Sequence, residues 1–238
     1  MVTRPDADVA GTPAWWLERG QRSVQRRNRK DGLTVERIIE QALAVVEAEG
    51  AERLTIRRLA EVLGTGPASL YRHVATREEI IALVVDRFLE PLGTQEPPPG
   101  LAWQERARWL AVKFREHLLD HTNVVPLMVE AQMLGPNSMA GRQRVLRGFL
   151  KAGLDAESAI RAYLAIVHFT VASVQLEIQR RNGTAADRKA LQRLFASQDP
   201  DRYPDVVANA ELLAGEDSDL EFRFALNALL QGIDNLRK

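Results

Sequence analysis

The chain has 238 residues, of which 45% are hydrophobic and 27% are charged. This balance is ordinary for a soluble globular protein that forms one compact unit or two fused ones. The absence of cysteine excludes disulfides and thiol chemistry. Basic and acidic side chains number 32 each, so the formal net charge is zero and gives no overall sign of nucleic-acid binding. The sequence shows no signal-peptide pattern and no apolar run of about 20 residues, so we expect a cytoplasmic protein with no membrane partner.

Residues 1–32 have no helical periodicity and contain several glycines and prolines, which predicts a flexible basic N-terminal arm. The basic side chains are concentrated in residues 19–30, a run that contains no acid. The members that we expect to contact a DNA minor groove or phosphates are Arg26, Arg27, Arg29 and Lys30. A solvated tail is the alternative. For Trp15, Trp16 and Leu17, which are unusual in a tail, a short helix anchored on the protein body or on a partner subunit is a further alternative.

The first clear helix is predicted over residues 34–49. Thr34 is suited to the N-cap position, apolar residues recur at helical spacing, and Gly50 marks the end. We expect this helix to pack on the two short helices that follow and so to complete a three-helix unit.

Residues 55–76 predict two short helices joined by a tight turn. The first helix runs from Thr55, which can cap it, to Leu63. Gly64 stands where a helix ends in a left-handed residue, a conformation that glycine adopts at little cost. Pro67 suits the first turn of the second helix, which extends to about His73. This arrangement is typical of a helix-turn-helix, whose second helix lies in the DNA major groove.

The residues of this unit that we expect to contact DNA are Thr55, Arg57, Thr65, Gly66, Pro67, Ala68, Ser69, Tyr71, Arg72, His73 and Arg77. Arg77 stands at the start of the next helix, where a side chain and free backbone N–H groups together can hold a phosphate. That helix is predicted to run to about Leu89 and to stop before Pro91. Because it is apolar on more than one side, we expect it to link the DNA-binding unit to the rest of the chain.

Residues 93–100 contain three consecutive prolines between two glycines and predict a linker. We therefore place the DNA-binding domain at residues 33–92 and a second, larger domain at residues 101–238. The second domain shows helical periodicity without strand alternation, so the predicted fold class is all-α. Its predicted helices cover residues 101–121, a short segment around Pro126, and residues 138–152, 156–181, 191–195, 203–213 and 219–236.

The run from residue 32 to about residue 92 resembles the DNA-binding domain of the tetracycline-repressor family of transcriptional regulators. The resemblance lies in L-T-I-R-R-L-A-E-V-L-G, L-Y-R-H-V and T-R-E-E-I, in that order and spacing. The second domain resembles the family's regulatory domain in Trp103–Gln104 and in residues 153–155, 167–170 and 222–232. The resemblance implies a homodimeric repressor that binds a palindromic operator and is released by a small-molecule effector.

Dimerisation is expected through the helices of residues 155–181 and 219–236, which are apolar over more of their circumference than one core requires. The alternative is that both helices are buried in their own subunit. Two other functions remain open: an effector-independent DNA-binding protein and an activator of the same fold. An enzyme is not expected, because the sequence contains no phosphate loop, nucleophile elbow, paired-carboxylate motif or metal signature.

Candidate effector contacts are polar or aromatic residues on otherwise apolar helices. They are Phe88, Trp109, Phe114, His117, His121, Met128, Met133, Asn137, His168, Phe169 and Gln175. The tetracycline repressor holds a magnesium–drug complex through a histidine on a short helix, and the corresponding stretch here, residues 126–130, has no histidine. We therefore expect neither a metal site nor a cofactor.

Overall fold

The computed structural model describes residues 9–23, 33–181, 183–215 and 217–236, which form helices and no strand. The N-terminal part contains α1 (Pro13–Ser23), α2 (Val35–Glu49), α3 (Ile56–Val62), α4 (Pro67–Leu70), α5 (Arg77–Phe88) and α6 (Glu90–Thr94). The rest contains α7 (Trp103–Asp120), α8 (Val125–Glu130), α9 (Pro136–Lys151), α10 (Ala156–Arg181), α11 (Ala185–Ala196), α12 (Pro204–Ala208), α13 (Ala210–Ala214) and α14 (Ser218–Asp234). The all-helical class predicted from the sequence is confirmed.

The structure differs from the prediction of a flexible arm at α1, a helix of 11 residues that contacts α5. Arg19 donates to the buried carboxylate of Glu79 at 2.8 Å, and its guanidinium lies 5.1 Å from the centre of the Trp15 ring. The backbone of Gly11 lies so close to α5 that an added Cβ would sit 3.3 Å from the Cβ of Ala82. The tryptophan pair therefore belongs to a docked helix. Residues 24–32 lie outside the described residues.

The predicted linker is shorter than expected, because α6 covers its first two residues. Pro91 does not simply end a helix here: it lies in the first turn of α6, where its missing N–H has no partner to lose. Two further boundaries differ from the prediction. The helix expected at residues 191–195 extends over the whole of α11, and the one expected at residues 203–213 is broken into α12 and α13.

Two apolar cores organise the molecule. The first joins α2–α5 to α7, α8 and α10, and includes Ile38, Leu59, Phe88, Leu118 and Val174. The second lies among α7, α9, α10 and α14. Because the first core crosses the predicted boundary at residues 93–100, the DNA-binding unit and the second domain share part of their interior.

Among the described residues, α10 is the one helix with the length and composition of a membrane span, with a mean hydropathy of 1.4 over its most apolar stretch. The sequence prediction of no such run was therefore wrong. The core helix of a soluble protein has the same properties, and α10 buries Ala159, Ala162, Tyr163, Ile166 and Val174 inside the subunit.

Candidate DNA-binding surface and effector cavity

The turn between α3 and α4 is fixed by local backbone bonds. Gly64 has a φ of +64°, as predicted for the residue that ends α3. Its N–H donates to the carbonyl of Glu61 at 3.1 Å, and the N–H of Thr65 donates to that of Ala60 at 2.9 Å. This pair of bonds is the Schellman ending, which satisfies carbonyls that the helix leaves free. Pro67 then opens α4, so the geometry of the turn follows from its own residues.

The second helix is anchored by apolar side chains and presents polar ones to solvent. Leu70 and Val74 are fully buried, whereas Tyr71 is 56% exposed and Arg72 is exposed beside it. The Nη2 of Arg72 donates to the Oγ of Ser69 at 2.9 Å. Gly66, Pro67 and Ala68 are exposed at the start of the same helix, and Thr65, Ser69 and His73 are half-buried. The residues predicted to contact DNA therefore lie along one partly exposed edge, and their contact with DNA stays a prediction.

Two arginines of α3 have different environments. Arg57 has a side chain that is 89% exposed, with one contact to Glu61 at 3.3 Å. Arg58 is turned to Glu49 of α2, with its Nη2 at 2.6 Å from the carboxylate. This pairing raises the pKa of Arg58 and lowers that of Glu49. The hydroxyl of Thr55 accepts the N–H of Arg58, so Thr55 caps α3 as predicted.

Arg77 is positioned differently from the phosphate contact predicted for it. Its Nε donates to the carbonyl of Leu54 at 2.9 Å, and its Nη2 lies 3.4 Å from that of Ala51. Its Nη1 lies 3.4 Å from Glu130 of α8. The guanidinium thus contacts the loop before α3 and α8 of the second domain, and the phosphate contact of Arg77 stays a prediction. Sequence spacing carries no signal of these partners, because they lie 23 to 53 residues away.

The basic residues predicted to extend the DNA surface, Arg26, Arg27, Arg29 and Lys30, lie outside the described residues. The end of α1 that precedes them is held near the second DNA-binding helix. Glu79 binds Arg19 of α1 through one oxygen and the N–H of Ala75 through the other, at 2.8 Å each. Ala75 follows α4 by five residues, so one buried carboxylate joins α1 to the helix-turn-helix.

A cavity of about 130 Å³ lies in the second domain between α6, α7, α9 and α10. Apolar side chains form most of its wall, with Leu110, Phe114, Val145 and Ile166 among them. The Oε1 of Gln95 lines this cavity, is buried, and accepts no hydrogen bond from the described residues. A second concavity, the α10 groove, adjoins the cavity through shared residues and is lined mainly by residues 128–134 and by α10.

The structure brings only some of the predicted effector contacts to these cavities. Phe114, Met133 and Asn137 line the cavity. Met128, His168 and Gln175, with Met133 again, line the α10 groove.

The other predicted effector contacts line neither site. Phe169 stacks on Phe222 in the second core, with ring centres 5.3 Å apart. Trp109 lies on α7 with the ammonium of Lys113 at 6.0 Å from its ring centre. Phe88, His117 and His121 form an aromatic cluster between α5 and α7. Their apolar surroundings reflect packing between helices, which the sequence pattern does not distinguish from a ligand site.

Several residues that the sequence pattern does not single out also line the cavity. They include Arg142 and Arg144 of α9 and Tyr163 of α10. Arginines two apart on a helix carry no periodic signal of a shared site. The α9 helix as a whole has few buried residues, which hides its role as a cavity wall.

The wall formed by α9 is joined to α5 through Asp86, which is 7% exposed. Its carboxylate accepts the N–H and the hydroxyl of Ser138 at 3.0 and 3.1 Å, and the N–H of Asn137 at 3.3 Å. Asp86 therefore caps the N-terminus of α9 from another helix. Since Asn137 and Ser138 line the cavity and α5 continues from the helix-turn-helix, this carboxylate connects the two candidate sites.

An apolar surface runs along α10 and α14, and we call it the dimer face because the sequence predicts dimerisation through these two helices. Its large exposed members are Ile160, Leu164, Leu176, Leu220 and Phe224, of which Phe224 is 76% exposed. On α10 they follow a spacing of four residues together with His168 and Ala172, so they share one side of the helix. The part of the chain that the structure describes contains no group of three or more potential metal-binding side chains.

These features define a class: a helical DNA-binding regulator with an anchored reading helix and a separate cavity. Residues 38–84 match the bacterial regulatory proteins of the tetR family, and residues 96–237 match the tetracyclin repressor-like C-terminal domain. The chain belongs to the tetracycline-repressor family of transcriptional regulators, which confirms the family predicted from the sequence.

Individual relatives agree. The transcriptional repressor DrrR1 of Streptomyces coeruleorubidus is 30% identical over 98% of this chain and 88% of its own length. The class E tetracycline repressor of Escherichia coli is 26% identical over 84% of this chain and 90% of its own length. The structure of ActR from Streptomyces coelicolor in complex with actinorhodin has a TM-score of 0.78 and 32% identity, covering 85% of this chain and 95% of ActR.

Proposed function

We propose that this regulator is a homodimeric repressor that binds a palindromic operator and is released when a small molecule occupies the cavity. The observation that carries the proposal is the arrangement around α5. This helix continues from the helix-turn-helix at one end and, through Asp86, holds the cavity wall at the other. One element therefore contacts both the DNA-reading unit and the site where an effector would bind.

DNA reading is assigned to Tyr71 and Arg72, supported by exposed Arg57 and by the backbone at the start of α4. A short helix reads few bases, so two copies related by a two-fold axis supply the specificity and the avidity. Arg26, Arg27, Arg29 and Lys30 add sequence-independent phosphate contacts. Through the dimer face the two copies hold their reading helices at the spacing of two half-sites.

Release follows from a difference in effector affinity between two subunit arrangements. An effector shifts the equilibrium only if it binds the released arrangement more tightly. The relative ActR has been solved with actinorhodin, which supports a small-molecule site in this fold. In this chain, an effector that moves α9 changes the position of Asp86 and therefore of α5.

We place the protein in the cytoplasm and assign it no enzymatic activity. An activator of the same fold would bind the same operator without lowering transcription.

The proposal is tested by selecting bound sequences from random DNA and measuring the affinity of variants for the selected operator. Tyr71→Ala and Arg72→Ala are each expected to weaken binding by about 1–3 kcal/mol, because each removes a contact to a base or a phosphate. The matched control is the exposed pair Arg202 and Tyr203, which has the same residue types far along the chain. Unchanged affinity in both reading-helix variants, or an equal loss in Arg202→Ala and Tyr203→Ala, would contradict the assignment.

A further inference from the structure

The charges around the cavity are all of one sign. Its lining contains Lys113, Arg142 and Arg144 and no aspartate or glutamate. Lys113 is already paired, because its Nζ lies 2.6 Å from Glu116. The nearby carboxylate of Asp86 is occupied by the N-terminus of α9. The two arginines are therefore the charges that an occupant would meet.

Arg142 and Arg144 are held by neutral acceptors. Arg142 donates to the carbonyl of Met133 at 3.1 Å, and its guanidinium lies 5.5 Å from the centre of the Tyr163 ring. Arg144 donates to the carbonyls of Gly93 and Gln95, which lie at the rim of the cavity. Within residues 9–23, 33–181, 183–215 and 217–236, neither arginine forms an ion pair.

Three other arginines that are at least partly buried are paired with acids, whereas the half-buried Arg108 of α7 also has a neutral partner, Asn227. Arg115 contacts Glu177 at 2.7 Å and Asp219 at 3.1 Å. Arg19 and Arg58 each have a glutamate within 3 Å. A guanidinium against an apolar wall without a counter-charge is costly, and an anion that brings charge-assisted hydrogen bonds offsets this cost. The unpaired arginines thus indicate an acidic group on the occupant.

We propose that the cavity selects an apolar molecule that carries an acidic group, and that Arg142 and Arg144 bind this group. The inference rests on the proposed function for its regulatory meaning, but the charge selection is a property of the cavity itself. Arg142 is the better residue to substitute, because Arg144 also donates hydrogen bonds to the backbone of residues 93–95. Both lie on α9, so the acidic group would act on the helix that Asp86 caps.

The test uses two fluorescent probes with one skeleton. The probe 8-anilinonaphthalene-1-sulfonate is apolar and anionic, and N-phenyl-1-naphthylamine is its neutral counterpart without the sulfonate. Both are titrated into the full-length protein and into Arg142→Met, Arg142→Lys and Arg147→Met. The last variant removes an exposed arginine of the same helix that does not line the cavity.

The anionic probe is expected to bind Arg142→Met at least about 10-fold more weakly than the unaltered protein, which is the usual size of the effect when a charge-assisted hydrogen bond is removed. Arg142→Lys and Arg147→Met should retain its binding, and the neutral probe should bind all four proteins equally. Equal weakening of both probes in Arg142→Met, or an equal weakening of the anionic probe in Arg147→Met, would overturn the proposal. Operator release is measured separately, so a cavity that selects anions but never releases DNA would refute the proposed function alone.

Discussion

His117 lies where the DNA-binding unit meets the second domain. Its Nε2 donates to the carbonyl of Phe88 at 2.9 Å, and its ring stacks on that of Phe88 with centres 4.2 Å apart. Burial lowers the pKa of His117 below its ordinary value of 6.5, and the neighbouring His121 lowers it further. The hydrogen bond to the Phe88 carbonyl and the nearby acids Asp120 and Glu47 raise the pKa of His117, but they do not outweigh burial. The packing between the DNA-binding unit and the second domain therefore favours the neutral form of the His117 imidazole.

This arrangement predicts a stability that depends on pH. Because the folded pKa of His117 is below the unfolded one, the unfolded chain binds more protons as the pH falls below about 6.5. The contribution of neutral His117 is present above that value and is lost as the pH falls through the lowered pKa. Urea unfolding between pH 8 and pH 5 should show a smaller loss of stability in His117→Gln than in the unaltered protein. An equal loss of unfolding free energy in the two proteins between pH 8 and pH 5 would contradict the prediction.

The basic residues that follow α1 lead to a second residue-scale prediction. Replacing Arg26, Arg27, Arg29 and Lys30 with glutamine leaves the docked part of α1 intact, so it isolates their charge. The slope of log affinity against log salt should become shallower by roughly 0.9 for each phosphate that is no longer neutralised. Arg161→Gln, which removes one exposed charge of α10, serves as the control. An unchanged slope would show that the arm does not neutralise phosphates.

Local chemistry at single residues is predictable from this sequence, and long-range contacts are not. Thr55, Gly64 and Pro67 have the roles expected of them because caps and turns depend on a few neighbouring residues. Arg77 and Arg144 find their partners on other elements, and a single sequence contains no measure of those distances. The same limit explains why the sequence pattern did not place Phe169, a predicted effector contact, against Phe222 in the second core.

Among the contacts between helices, the joint between α5 and α9 is the simplest to test. It is the cap that the Asp86 carboxylate of α5 supplies to the N-terminus of α9. Asp86→Ala leaves the N–H groups of Asn137 and Ser138 without an acceptor and should cost about 1–3 kcal/mol of unfolding free energy. Asp187→Ala is the matched control, because Asp187 accepts the N–H of Thr184 in the capping box at the exposed start of its own helix, α11. Hydrogen exchange in α5 should accelerate in the first variant only.

Gly135 offers an independent change at the same joint. An added Cβ at this position would overlap the carboxyl group of Asp86, although a φ of −75° is itself acceptable to alanine. Gly135→Ala should therefore reproduce the effects of Asp86→Ala through displacement of the carboxylate. If exchange in α5 is unchanged in both variants, the joint does not connect the cavity wall to the DNA-binding unit.

Helix existence is easier to predict than helix role. Periodicity locates α2, α5, α7, α9, α10 and α14. It misses α1, which is short and contains a glycine, so only the tryptophans indicate a docked segment. The prediction at Pro91 was incomplete because proline ends one helix and begins another with equal ease.

For the whole molecule, the dimer face predicts an obligatory assembly. Phe224→Glu places a charge at a large apolar side chain of that face and should convert the dimer to a monomer in light scattering. Operator affinity should fall by a factor of roughly 100 or more, because the second half-site is no longer tethered. Leu150→Glu, a similarly drastic change at an exposed leucine of α9, should leave both properties unaltered. A dimeric Phe224→Glu protein would refute the assigned interface.

The core that α2–α5 share with α7, α8 and α10 limits how this regulator can be recombined with others. A chimera that fuses this DNA-binding domain to a foreign second domain would be joined at the predicted linker. A cut at residues 93–100 would separate the Phe88 ring of α5 from His117 and His121, against which it packs, and would divide the first core. A functional chimera would have to include the core residues of α7 and α8 together with the DNA-binding domain. The part that can be exchanged between regulators is therefore larger than the DNA-binding domain.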